Sequence, residues 1–171
     1  MGVPSVFLRL ATCNLACRWC DTKYTWDWQN FDYQTEVVDL KASEVQAKIQ
    51  AFDCSHVVIT GGEPMLQQAG LTPLVESLAE EGYTFEVETN GTLPPEPDMV
   101  DAVSQWNVSP KLANSGNDAA RRGARTAAIG PQSRPPMAFA AIGQDDIAVQ
   151  DFIFAPQTKA AAMHAGTARI A

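Results

Sequence analysis

Residues 13–22 read Cys13-Asn14-Leu15-Ala16-Cys17-Arg18-Trp19-Cys20-Asp21-Thr22, and the rest of the 171-residue chain is organised around them. Three thiols fall in one short loop, spaced Cys-x-x-x-Cys-x-x-Cys, so all three sulfurs can point at one centre. Three cysteine thiolates satisfy three irons of a four-iron cubane and leave the fourth open to a small molecule. Two other chemistries use the same residues. A structural zinc needs four ligands, and Cys54 or a histidine is available as the fourth. A disulfide framework suits a small secreted domain.

Composition narrows the setting. The net charge of −8 argues against nonspecific nucleic-acid binding, which needs a basic face. No apolar run is long enough to span a bilayer. Met1-Gly2-Val3-Pro4 has neither the basic region nor the apolar core of an export signal. Clustered thiols without such a signal point to a reducing, cytoplasmic compartment. Charge is unevenly spread. Residues 1–118 carry 17 acidic and 6 basic side chains, a net of −11, while residues 119–171 carry 3 and 6, a net of +3. The later stretch holds 16 alanines and no leucine or glutamate. A domain over 1–118 followed by an Ala/Arg/Pro-rich tail over 119–171 is expected.

Outward from the cysteines, Ser5-Val6-Phe7-Leu8-Arg9-Leu10 reads as a buried strand feeding the loop, with its far edge uncovered. Arg9 on that strand is either a snorkelling side chain or an anion ligand. Tyr24, Trp26, Trp28, Phe31 and Tyr33 form either a stacking surface or a packed shield over the thiols. Ser43-Glu44-Val45-Gln46 reads as a capping box opening a helix over 43–52. Cys54 stands alone and reads as a small buried hydrophobe. His56-Val57-Val58-Ile59-Thr60 is a β-branched strand of the kind covered on both faces, running into Gly61-Gly62-Glu63-Pro64. A Gly-Gly turn lets backbone approach a ligand closely. Thr72-Pro73 is expected to start a second helix, as N-cap and first helical residue, and Gly82 to end it. Tyr83–Glu88 and Trp106–Ser109 read as further strands, with a short helix near Asp98 between them. Strand, loop and helix recur about every 25 residues, which is the pattern of a parallel α/β sheet built from βαβ units. The polar clusters at Cys13–Cys20, Thr60–Glu63, Glu88–Asn90 and Ser109–Lys111 each follow a strand, so they converge on its C-terminal edge, where α/β active sites form.

The cysteine spacing together with Gly61-Gly62-Glu63 resembles the radical S-adenosylmethionine (SAM) superfamily. Phe7–Leu10, Trp19-Cys20-Asp21-Thr22, Thr60–Pro64, Glu88–Thr92 and Ser109-Pro110-Lys111 together resemble the 7-carboxy-7-deazaguanine synthase family, over residues 2–118. That resemblance implies an incomplete, partial TIM-like parallel β/α barrel of the radical SAM type, usually dimeric. It implies a lyase that converts 6-carboxy-5,6,7,8-tetrahydropterin to 7-carboxy-7-deazaguanine with loss of ammonia, in queuosine and related 7-deazapurine synthesis. It further implies that SAM at the open iron would be cleaved to a deoxyadenosyl radical, which would take hydrogen from C6 of the pterin and later be regenerated. The resemblance assigns the [4Fe-4S] cluster to Cys13, Cys17 and Cys20 and Mg²⁺ to Thr22. It assigns SAM to Trp19, Cys20, Asp21, Gly62, Glu63, Glu88, Ser109, Pro110 and Lys111, and substrate to Arg9 and Thr60. A flavodoxin- or ferredoxin-type protein would donate the electron, with neither nucleic acid nor membrane as partner.

Family members carry a strand and a Gln-Gly-Glu-Gly loop ahead of the residue matching Gly2, and further βα units beyond Lys111. Neither pattern is present, Arg121 to Pro136 reads as a linker, and Asp151–Phe154 reads as at most a stray strand. The expectation is a fragment whose tail was replaced or read out of frame. Two rival functions remain: another small radical SAM enzyme such as a glycyl-radical activase, and a zinc-stabilised binding module without chemistry.

Overall fold

A computed structural model of the chain describes residues 3–118 and 146–155. Its strands are β1 (Ser5–Leu10), β2 (Val38–Lys41), β3 (His56–Gly61), β4 (Thr84–Thr89), β5 (Gln105–Val108) and β6 (Asp146–Ala155). Its helices are α1 (Tyr33–Glu36), α2 (Ala42–Gln50), α3 (Gln68–Glu80) and α4 (Pro97–Ala102). The strands form one open sheet in the order β2-β6-β1-β3-β4-β5. β1, β3, β4 and β5 are parallel neighbours, and β6 runs antiparallel to both β1 and β2. The four parallel strands are those the repeat pattern predicts; β2 and the antiparallel β6 extend the sheet beyond them, and it is unclosed among the described residues.

The sheet has two unlike faces. Val6, Leu8, Leu10, Val57, Ile59, Phe85 and Val87 alternate onto one face and join Val45, Ile49, Leu71, Leu74, Val75, Leu78 and Met99 of the helices in a single core. The other face carries Arg9 beside Thr60, Val58 beside Glu86, and Glu88 beside Asn107. The described helices therefore cover one face of β3, not both as its apolar run suggests. The opposite face is polar because it leads to the site.

Four local expectations are corrected. β1 has no open edge: β6 pairs with it from Ser5↔Ala155 to Leu10↔Val149, with an irregularity between Arg9 and Leu10. The supposed stray strand at Asp151–Phe154 is thus part of a ten-residue strand inside the sheet. Burying Ile147, Val149 and Phe152 contributes roughly 1.5–3 kcal/mol each. Helix α2 is capped by Lys41 and Glu44 rather than by Ser43, the Glu44 carboxylate accepting the Lys41 N–H at 2.9 Å. Helix α3 starts four residues before Thr72, taking over from a 3₁₀ turn at Pro64–Gln67, so Pro73 lies inside it. The Thr72 hydroxyl donates back to the Gln68 carbonyl at 2.8 Å instead of capping. Gly82 follows the last turn with φ of +92°, as the sequence predicts. The region from Arg121 to Pro136 lies outside the described residues.

Candidate active site at the C-terminal edge of the sheet

The chain leaves β1 through Thr12, a non-glycine residue with φ of +70°. Such a conformation costs on the order of 1–3 kcal/mol and persists only where the surroundings impose it. Here the Thr12 N–H donates to the Thr25 carbonyl at 2.6 Å, and its own carbonyl accepts the Glu63 N–H at 2.8 Å. The second bond requires the β3 turn to lie against the cysteine loop. A side chain at Gly62 would collide with the Thr12 carbonyl, and one at Gly61 with Leu10 backbone. The two glycines therefore serve the approach of two loops, which then share one cavity.

That cavity has a volume of about 560 Å³. Cys13, Cys17 and Cys20 open onto it, as do Arg9, Trp19, Asp21, Thr22, Thr60, Glu88, Ser109 and Lys111. The convergence of strand ends is as expected from their order. Thr60 donates to the Glu88 carboxylate at 2.7 Å, joining β3 to β4 at the cavity wall. Lys111 donates to Ser109 at 2.9 Å and lies 5.4 Å above the ring of Trp19, itself 53% exposed at the mouth. Thr22 Oγ1 sits 3.5 Å from Cys20 Sγ.

Three expected SAM residues do not line the cavity: Gly62, Glu63 and Pro110. Glu63 is fully buried behind it. Its carboxylate accepts from Thr89 Oγ1 at 2.7 Å, Asn90 N at 2.8 Å and Met65 N at 3.1 Å, so it locks the turn after β3 to the end of β4. Burial pushes its pKa above the ordinary value, with the three donors opposing that rise.

Several residues at the site were not singled out in the sequence. Asn14, Asn90 and Thr92 tie the cysteine loop to β4: Asn90 Nδ2 donates to Asn14 Oδ1 at 2.9 Å, and Asn14 Nδ2 to Thr92 Oγ1 at 2.7 Å. Buried Gln67 bridges the Ala11 carbonyl and both backbone groups of Ala148, joining β6 to the start of the loop. Asn117 contacts the loop from 100 residues away. Amides carry no periodicity or spacing signal; only the place of Asn90 in the Glu88–Asn90 cluster after β4 offers a cue. The aromatic stretch is mainly packing. Tyr24 meets Phe31 edge-on at 6.3 Å and Trp28 meets Tyr33 at 5.0 Å, while Trp26 reaches the cavity.

The donor set fits an iron–sulfur cluster. All three thiols open on one cavity, and each accepts an N–H donor: Leu15 N for Cys13 at 3.4 Å, Asn117 Nδ2 for Cys17 at 3.3 Å, Trp26 Nε1 for Cys20 at 3.3 Å. Cluster thiolates take such bonds. Burial raises the Cys13 thiol to about 12, helped by Glu63 and the other two thiols and opposed by the Leu15 N–H. A cation is needed to hold it deprotonated at neutral pH. The zinc alternative loses Cys54, which donates to the Pro4 and His56 carbonyls at the opposite end of β3. His56 lies at that end too, and His164 is outside the described residues.

The profile of the Radical SAM superfamily matches residues 9–110, more than half of the chain. The chain belongs to the radical SAM superfamily. That family carries a [4Fe-4S] cluster and SAM. Within it, the chain is 43% identical over 118 residues to the 7-carboxy-7-deazaguanine synthase of Pyrobaculum aerophilum, covering 68% of this chain and 50% of that protein. It is 40% identical over 110 residues to the enzyme of that name from Neisseria meningitidis serogroup B, covering 64% of this chain and 45% of the other. The crystal structure of QueE from Escherichia coli superposes with a TM-score of 0.51 at 34% identity, covering 66% of this chain and 53% of that one. The radical SAM chain spans about half the length of these relatives. No helix among the described residues is long and apolar enough to cross a membrane.

Proposed function

We propose that this chain carries the radical SAM core of a 7-carboxy-7-deazaguanine synthase, a lyase that converts 6-carboxy-5,6,7,8-tetrahydropterin to 7-carboxy-7-deazaguanine with release of ammonia. The observation that supports this reading is the sharing of one cavity by the three thiols, Arg9 and Thr60. An anion-binding fork and a hydroxyl thereby face the centre where hydrogen is abstracted.

Cys13, Cys17 and Cys20 hold the cluster, which with SAM supplies a carbon-centred radical when both are bound. Arg9 pairs its guanidinium with the substrate carboxylate. Thr60, held by Glu88, contacts the pterin. Trp19, Asp21, Ser109 and Lys111 hold SAM, while Gly62, Glu63 and Pro110 shape the backbone behind it. Thr22 presents a hydroxyl to Mg²⁺. Magnesium prefers oxygen ligands and keeps several waters, so a single protein hydroxyl beside substrate oxygens and water suits it. The electron comes from a flavodoxin- or ferredoxin-type donor, and the working form is a cytoplasmic homodimer.

The test is anaerobic reconstitution with iron and sulfide, followed by iron counting, EPR with and without SAM, and turnover of the carboxytetrahydropterin. Four irons per chain, a SAM-responsive signal and deazaguanine product are expected. A SAM-responsive cluster with no turnover would sink the substrate assignment and leave a different radical SAM activity. Zinc in place of iron would end the reading altogether.

A further inference from the structure

Of the three N–H donors to the thiols, one is local backbone and two are side chains brought from outside the triplet. Trp26 follows the 3₁₀ turn at Lys23–Thr25 and points its indole N–H at Cys20. Asn117 arrives beyond β5, after a 3₁₀ turn at Ala113–Ser115. Its orientation is fixed from both ends. Asn117 Oδ1 accepts the Ala16 N–H at 2.8 Å, which leaves Nδ2 to donate to Cys17 Sγ at 3.3 Å and Ser115 Oγ at 3.2 Å. The segment is anchored again where the Arg18 N–H donates to the Ser115 carbonyl at 2.9 Å. Asn117, Ser115 and Cys17 are all buried, so water does not compete for these bonds.

A hydrogen bond to a cluster thiolate strengthens as negative charge builds on sulfur. Reduction adds one electron to the cluster and its ligands. Each N–H donor therefore stabilises the reduced form more than the oxidised form and raises the reduction potential. Leu15 supplies a bond that any residue at that position would supply. Asn117 and Trp26 supply bonds that depend on side-chain identity. We propose that Asn117 and Trp26 are positioning residues that raise the reduction potential of the cluster through N–H···S bonds to Cys17 and Cys20. In this role they act through the thiolates, on the ease of the electron transfer that starts the reaction.

The inference rests on the cluster reading of the site, so the experiment counts iron first. The reconstituted wild-type chain, Trp26→Phe, Asn117→Ala and Asn117→Asp are compared by EPR-monitored redox titration. Trp26→Phe keeps an aromatic ring and deletes one N–H. Asn117→Asp keeps the acceptor for Ala16 and replaces the donor by a negative oxygen. At a fixed poise the reduced-to-oxidised ratio is expected to fall about tenfold in Trp26→Phe and in Asn117→Ala, equivalent to about 59 mV for one electron. It should fall further in Asn117→Asp. A purely structural role would lower iron content or stability and leave the potential of the loaded fraction where it was. Iron-loaded Trp26→Phe with the wild-type potential overturns the proposal, and so decides the matter if the Asn117 variants do not load. A wild-type chain that takes up no iron overturns both this inference and the cluster reading beneath it.

Discussion

The carboxylate of Glu63 accepts the backbone N–H of Asn90 at 2.8 Å, and this bond, with the one from Thr89 Oγ1, fixes the turn after β3 to the end of β4. Glu63→Gln places an amide N–H where the Asn90 N–H needs an acceptor. The loss should be about 1–3 kcal/mol, read as a lower urea midpoint. The pH dependence has a defined sign. Because burial raises the carboxyl above its ordinary 4.5, the folded state binds the proton more tightly than the unfolded chain does. That contribution is present below 4.5 and is lost as pH rises through the folded value. The deficit of Glu63→Gln relative to wild type should therefore be widest in acid and narrow toward neutrality.

Gln67 makes three bonds to main-chain groups that no other side chain reaches among the described residues. In Gln67→Leu the buried Ala148 N–H loses its acceptor and the Ala11 carbonyl a donor. Destabilisation of about 2–3 kcal/mol is expected by chemical denaturation. Faster hydrogen exchange should appear at Ala148 before it appears in the parallel strands.

Gly62→Ala should fail at the first step of assembly. The new methyl group falls on the Thr12 carbonyl, which can retreat only by breaking its bond to the Glu63 N–H. Iron uptake near background, with far-UV circular dichroism largely preserved, is the expected pair of results. Normal iron content would show that the two loops need not touch.

Lys111 is expected to bind SAM as part of a unit with Trp19 and Ser109. Lys111→Met removes both the cation over the ring and the bond to Ser109. It should weaken SAM binding to the iron-loaded chain about tenfold, or about 1.4 kcal/mol, by calorimetry. Iron content should be unchanged.

The legible parts of this molecule were those with a repeating or chemically rare signal. β1 and β3 stand out by their apolar runs and β4 by its alternation, and the strand order by itself puts Cys13, Thr60, Glu88 and Lys111 on one edge. Helix starts were less legible, because caps compete: Lys41 with Glu44 displaced Ser43, and a 3₁₀ turn carried α3 upstream past Thr72-Pro73. β6 was underread because its partners lie at the other end of the chain and its surroundings in sequence are alanine-rich. The bonds of Glu63 to Met65, Thr89 and Asn90 carried no sequence signal beyond its place in the Gly61-Gly62-Glu63 turn. The amides of Asn14, Gln67 and Asn117 were invisible, since a single polar side chain gains meaning only from what folding places within hydrogen-bond reach of it.

The pairing of β1 with β6 joins residues 5–10 to residues 149–155, almost the full length of the chain. Contacts so distant in sequence form slowly, because the intervening loop must close before they give any return. During synthesis β1 and the cysteine loop emerge well before the strand that flanks them. Until residues 146–155 have emerged, the chain presents an apolar strand with one open edge and three thiols close together in sequence. The yield of folded protein is thus a race between completion of β6 and either edge-to-edge association or oxidation of the thiols, and slower translation lengthens the exposure.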